Sequence, residues 1–116
     1  MQRSIQLRLN DILRAIDGAT DTIGGMTYDT YRTVFHMPRT VERCIEIVSE
    51  ASRHIPDEAK GRYPDIPWRQ IAGIGNVLRH DYDFVDERII WEVAKVHFPR
   101  LRTVVLELKS QFPEES

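Results

Sequence analysis

Apolar residues recur at three-four spacing along almost the whole chain, and only glycines and prolines interrupt them. That period matches the turn of a helix, about 3.6 residues, and no segment alternates apolar with polar residues as a strand would. The first stripe is Ile5, Leu9, Ile12, Leu13, Ile16, Ala19 and Ile23, starting near Ser4 and stopped by Gly24-Gly25. Arg3, Arg8, Asp11, Arg14, Asp17 and Asp21 mostly face outward from it. Thr27 is the expected N-cap of a second helix, with Asp29 and Thr30 in its first turn. Pro38 predicts a kink or break near Met37, because an interior proline costs a helix about 3 kcal/mol or more.

The pattern resumes with Val41, Cys44, Ile45, Val48, Ala51, Ser52 and Ile55 as one stripe. Glu42, Arg43, Glu46, Glu50 and Arg53 decorate the other side, where ion pairs one turn apart are worth a few tenths of a kcal/mol each. Pro56 to Lys60 reads as a short helical turn and Tyr63 to Pro67 as a loop. A helix follows from Pro67 to about Asp81, with Ile71, Ile74, Leu78 and Tyr82 on its apolar face and Gly75 in the middle. Asp86 is the expected cap of the next helix, carrying Ile89, Ile90, Val93, Ala94 and Val96 with Trp91 alongside. Pro99 marks a new start, and Leu101, Val104, Val105, Leu108 and Phe112 form the last stripe. Helices joined by short loops imply an all-α antiparallel bundle. One domain over residues 1–112 is expected, with 113–116 as a disordered tail.

A formal charge of −2 on 116 residues excludes a generally basic nucleic-acid binder, so RNA or DNA contact must come from a local patch or a partner. Cys44 is the single cysteine, which precludes an intrachain disulfide and fits a cytoplasmic location. Its place in the apolar stripe favours packing over a catalytic thiol. No secretory signal or membrane-spanning run is present, and no histidine has metal-ligand spacing, so neither a metal nor another cofactor is expected.

The chemistry concentrates in Gly75-Asn76-Val77-Leu78-Arg79-His80-Asp81-Tyr82. Asn76 and His80 are four apart and share a helix face with Arg69 and Gly73. Imidazole, carboxamide, guanidinium and phenol within one short stretch suit phosphate chemistry. A lone helical histidine is more often a surface or core group, but Asn76 is a poor mid-helix residue and strengthens the functional reading. Gly73 and Gly75 each cost the helix about 1 kcal/mol relative to Ala, which points to close approach of a backbone or ligand. Trp68 and Trp91 are read as core or interface packing, and Ser49 and Ser52 have no triad context.

The run Trp68 to Tyr82, followed by Val85-Asp86 and Ile90-Trp91-Glu92, resembles the HepT-like HEPN-domain toxins, the partners of MntA-type nucleotidyltransferase antitoxins. Ile47-Val48-Ser49-Glu50-Ala51 is similar to that family's mid-chain helix. The resemblance implies a HEPN-like bundle that forms a two-fold dimer, with the motif helices near the axis. It implies a metal-independent endoribonuclease toxin of a type VII-like toxin-antitoxin system, with tRNA a frequent substrate class. It also implies neutralisation by an MntA-like nucleotidyltransferase antitoxin, in some members by adding AMP to the motif tyrosine and in a possible hetero-oligomer. Carried over by position, His80 matches the motif histidine, Asn76 the polar residue after the motif arginine, and Tyr82 the AMP acceptor. One position departs: the family's arginine, five before the histidine, is Gly75 here, and Arg79 is one turn on from it.

In the ribonuclease reading His80 is the acid or base, Arg79 stabilises charge on the phosphorus, and Asn76 orients the phosphate or His80. Arg69, Arg39 and Arg43 are the candidates for an RNA-binding patch completed by a second copy. The alternative is a catalytically impaired HEPN module that binds a nucleotidyltransferase partner, with Gly73 and Gly75 serving tight packing.

Overall fold

Ser4 caps the first helix by accepting a hydrogen bond from the Leu7 amide at 3.2 Å. In the computed structural model, which describes residues 4–80 and 87–112 with the backbone alone at 79 and 80, this helix α1 spans Ile5–Ile23. Gly24 ends it at φ 53°, a left-handed conformation that glycine adopts without a Cβ penalty, and its amide closes on the Thr20 carbonyl at 2.8 Å. Thr27 caps α2 (Tyr28–Thr33) by accepting from the Thr30 amide. The expected break then falls at Val34, earlier than the position near Met37. A proline ring strikes the carbonyl four residues back, and for Pro38 that residue is Val34, which turns extended at φ −98° and ψ 108°. Pro38 itself sits in the first turn of α3 (His36–Ser52), where its missing N–H costs nothing.

The short turn at Pro56 is α4 (Asp57–Gly61), and the motif helix is α5 (Trp68–His80). Trp68 anchors the start of α5: its indole N–H donates to the carbonyls of Lys60 and Tyr63. Helix α6 (Glu87–Glu92) runs without a break through a π-helical turn, Val93–His97, into α7 (Phe98–Gln111). Pro99 therefore falls in the first turn of α7, as expected, but that start is reached through the π turn and not from a loop. A wider turn upstream of the proline relieves the clash with Lys95, and the Phe98 amide donates five residues back to Val93. Tyr82, the Asp86 cap and the tail 113–116 lie outside the described residues.

Two antiparallel pairs build the bundle. Gln6 Nε2 reaches the carbonyls of Lys109 and Phe112, and Asp17 pairs with Arg102, so α1 and α7 run in opposite directions. Ser49 meets Ala72 and Gly75 while Arg53 meets Ala72, so α3 and α5 do the same. Helix α3 packs on α1 on one side and α5 on the other. All described residues are helix, turn or loop; none is strand. Leu9, Ile12, Ile16, Val41, Ile45, Val48, Phe98, Leu101, Val104 and Leu108 fill the core between these layers. Tyr28, Tyr31 and Trp91 form an aromatic cluster where α2 meets α6, with ring centroids 4.9 to 6.2 Å apart.

Expected assignments change at three positions. Glu42 is buried rather than solvated, with Glu87 of α6 and Tyr31 of α2 close enough to act on it electrostatically. Ile89 and Val96, expected in the buried stripe, are exposed, whereas Ile90, Ala94, Trp91 and Val93 of that segment meet the core. Asp17 stays half-exposed and pairs across the bundle with Arg102 at 2.8 Å.

Candidate functional site

Helix α5 presents its polar stripe outward: Arg69, Gly73 and Asn76 are exposed, and the backbone continues helical through Arg79 and His80. Positions 76 and 80 are thus one turn apart on one face. The opposite face is apolar, with Leu78 buried and Ile71 and Ile74 packed on the core. A pocket of about 330 Å³ opens on that apolar face, lined by Ile45, Val48, Ile71, Ile74, Val93 and Leu101. Asn76 does not line it.

Antiparallel register locates the rest of the candidate set. Gly75 stands beside Ser49 and the Glu46 backbone, so the last turn of α5 is level with about residues 41–45 of α3. That brings Arg43 and its neighbour Arg39 to the same end of the bundle as position 80. Arg69 is eleven residues back, about 16 Å along the helix axis, and belongs to the other end. Within one chain the three arginines therefore do not form a single patch. Nor are two of them bare charges: Arg39 pairs with Glu42 at 3.2 Å, and Arg43 with Glu46 at 3.2 Å. Burial holds the Glu42 carboxyl above its ordinary range against the opposing pull of Arg39.

The two glycines of α5 differ. A Cβ at Gly73 would meet nothing within 4 Å, so the expected close approach does not occur there within the chain. A Cβ at Gly75 would stand 2.6 Å from Ser49 Oγ and 2.8 Å from Ser49 Cβ. Gly75 is therefore a point of close approach between α5 and α3. Position 75 faces a neighbouring helix, with no room for a side chain.

Sequence reasoning passed over Ser49 and Arg53. The Ser49 hydroxyl is buried, donates to the Ala72 carbonyl at 2.9 Å and accepts from the Gly75 amide at 3.2 Å. Arg53 donates to the same carbonyl from Nη2 at 2.7 Å and Nε at 3.2 Å. Ser49 lies outside the apolar stripe read from the sequence, and its pairing with Gly75 is set by inter-helix register, which the sequence pattern does not carry. Cys44 behaves as packing: it is half-buried, beside Gly18, and burial pushes its thiol up. Among the described residues no three His, Cys, Asp or Glu side chains converge as a metal site would require.

The chain matches the family described as Ribonuclease HepT-like over residues 12–108, which includes all of α5. It belongs to that family. "Putative RNase MJ1216" of Methanocaldococcus jannaschii is 33% identical over 101 residues, covering 87% of this chain and 84% of that protein. "Putative RNase MJ0125" of the same organism is 33% identical over 101 residues, 87% of each chain. "Probable ribonuclease HepT" of Thermococcus cleftensis is 33% identical over 102 residues, 88% of this chain and 93% of that one. No solved structure matches the chain. No described helix is long and apolar enough to cross a membrane.

Proposed function

We propose that this HepT-like protein is a metal-independent endoribonuclease and the toxin of a type VII-like toxin-antitoxin pair. Its place in the HepT-like ribonuclease family, across a span that contains Asn76, Arg79 and His80, is the observation that carries the reading. RNA supplies its own nucleophile, so the chemistry needs only proton transfer and charge stabilisation. His80 takes the proton of the ribose 2′-hydroxyl as that oxygen attacks phosphorus, and a proton is returned to the departing 5′-oxygen. Imidazole ordinarily titrates at about pH 6.5, which suits both transfers. Arg79 holds the negative charge that builds on the phosphoryl oxygens, and Asn76 orients the phosphate. The products are a 2′,3′-cyclic phosphate and a 5′-hydroxyl; DNA, without the 2′-hydroxyl, resists.

With a formal charge of −2 the chain relies on local basic groups to hold RNA, and a second copy would bring more of them to one cleft. A two-fold dimer with both α5 helices near the axis would add the partner's Arg69 to Arg39 and Arg43 and form a composite cleft. tRNA is the substrate class to try first, with an MntA-like nucleotidyltransferase antitoxin as the neutralising partner.

The second reading, a HEPN module that binds a nucleotidyltransferase without cutting RNA, is favoured by one observation. The arginine that would serve the phosphate is replaced by Gly75, packed against Ser49. Incubation with bulk tRNA in EDTA separates the two. Cleavage by wild type and its loss by about a hundredfold or more in His80→Ala is the expected result. No cleavage by either protein, with partner binding intact, gives the module reading instead.

A further inference from the structure

Three side-chain donors from α3 and its C-cap Arg53 converge on one carbonyl of α5. Ala72 accepts from Ser49 Oγ and from both Nε and Nη2 of Arg53, while Ser49 takes back the Gly75 amide. An α-helical N–H donates to the carbonyl four residues before it. The Ala72 carbonyl is thus also the helical acceptor for Asn76, and the Asn76 carbonyl is the acceptor for His80. The clip lands on the backbone unit from which the motif turn hangs. Adhesion alone does not call for it, because Ile71, Ile74 and Leu78 already supply apolar packing on this helix. A buried hydroxyl lowers stability unless it is satisfied, and Ser49 is satisfied as donor and acceptor only by α5.

We propose that Ser49 and Arg53 are positioning residues of the ribonuclease site, clipping α5 to α3 so that Asn76 and His80 are presented at a fixed register and rotation. This rests on the ribonuclease reading. Gly75 is part of the device, since a side chain there would displace Ser49. The serine clip and an arginine at position 75 are mutually exclusive in this packing. Putting back the family's residue, Gly75→Arg, unseats α5 and does not raise activity.

The test uses the full chain with Ser49→Ala, Arg53→Ala, Arg53→Lys and the double variant Ser49→Gly/Gly75→Ala. The double variant removes both atoms that a Cβ at 75 would strike and so keeps the fit without the clip. Three quantities are read: kcat and KM on RNA, hydrogen exchange of the amides from Gly75 to His80, and the pH titration of the His80 imidazole by NMR. Ser49→Ala, Arg53→Ala and the double variant should lower kcat about tenfold or more with KM little changed. They should also speed exchange in that turn and move the His80 titration, while Arg53→Lys, which keeps a donor, retains most of the activity. Arg53 is on the surface, so Arg53→Ala decides the matter even if Ser49→Ala fails to fold. Unchanged kcat, exchange and titration in folded variants overturn the clip. If wild type cuts no RNA, the ribonuclease reading falls; exchange and titration then decide the clip by themselves, and unchanged values overturn it.

Discussion

Ser49 and Gly75 meet more closely than a side chain at 75 would allow: the Gly75 amide nitrogen lies 3.2 Å from Ser49 Oγ, and an added Cβ would stand 2.6 Å from the same oxygen. The oxygen can rotate away, but Ser49 Cβ at 2.8 Å cannot without moving α3.

Two alanine substitutions in one helix should therefore have opposite signs. Gly73→Ala gains about 1 kcal/mol from helix propensity, because nothing obstructs its Cβ. Gly75→Ala gains the same propensity and loses about 1–3 kcal/mol to overpacking, for a net loss of up to about 2 kcal/mol. Urea denaturation of the two variants should separate them by roughly 2 kcal/mol. Equal midpoints would contradict the packing described here.

Tyr31 offers a stabilising change. Its ring is fully buried in the aromatic cluster, yet its hydroxyl has no hydrogen-bond partner among the described residues. Burial first, then the carboxylates of Glu42 and Glu87, push the phenol well above its ordinary range, so it stays neutral and gains nothing by ionising. An unsatisfied buried hydroxyl costs about 1–3 kcal/mol, so Tyr31→Phe should raise stability by about 1 kcal/mol. A loss of stability on thermal unfolding would reveal a partner for the hydroxyl.

The pH dependence of stability should carry two contributions of opposite sign. The hydrogen bond from Arg102 holds the Asp17 carboxyl below its ordinary 3.8. The folded state then binds that proton less readily than the unfolded chain. The stabilisation is present above about pH 4 and is lost as pH falls through the lowered folded value. Burial raises Glu42 above its ordinary 4.5, so its contribution is fullest below that value and is lost as pH rises through the folded value. Asp17→Asn should flatten the acid limb, by no more than about 1 kcal/mol since the pair is half-exposed. Glu42→Gln should flatten the decline above about pH 4.5. Denaturation series from pH 2.5 to 7 read both, and unchanged slopes would remove the assignments.

Tyr82 should be the acceptor if the antitoxin transfers AMP. The phenol oxygen attacks the α-phosphorus of ATP, pyrophosphate leaves, and the phenolic proton passes to solvent. The adduct adds a bulky anion two residues from His80, blocking RNA by volume and like charge. Intact-mass measurement after incubation with ATP and the cognate antitoxin should show at least one AMP unit per chain. The same adduct on Tyr82→Phe would place the modification elsewhere.

Much of the helical plan was legible from periodicity alone. Ser4, Thr27 and Gly24 punctuate α1 and α2 as their chemistry demands, because capping depends on a few consecutive residues. Pro38 and Pro99 were visible as disturbances, but their outcomes differ. One breaks the helix at Val34 and the other is absorbed by a π turn, a choice made by what each segment must pack against. Glu42 looked like a solvated face because an amphipathic pattern identifies one buried stripe, whereas α3 also meets α2 and α6, whose Tyr31 and Glu87 lie near Glu42.

The site divides in the same way. The sequence by itself determined an all-helical chain and placed positions 76 and 80 one turn apart on a single helix, since helical spacing is a local property. Only the tertiary structure decided that Gly73 is open and Gly75 is shut, and that Arg39 and Arg43 lie at the opposite end of the bundle from Arg69. Those facts depend on which residues of α3 stand opposite α5. That register is set by side chains 23 to 26 positions apart, Ser49 with Ala72 and Gly75, a separation over which helical periodicity carries no information.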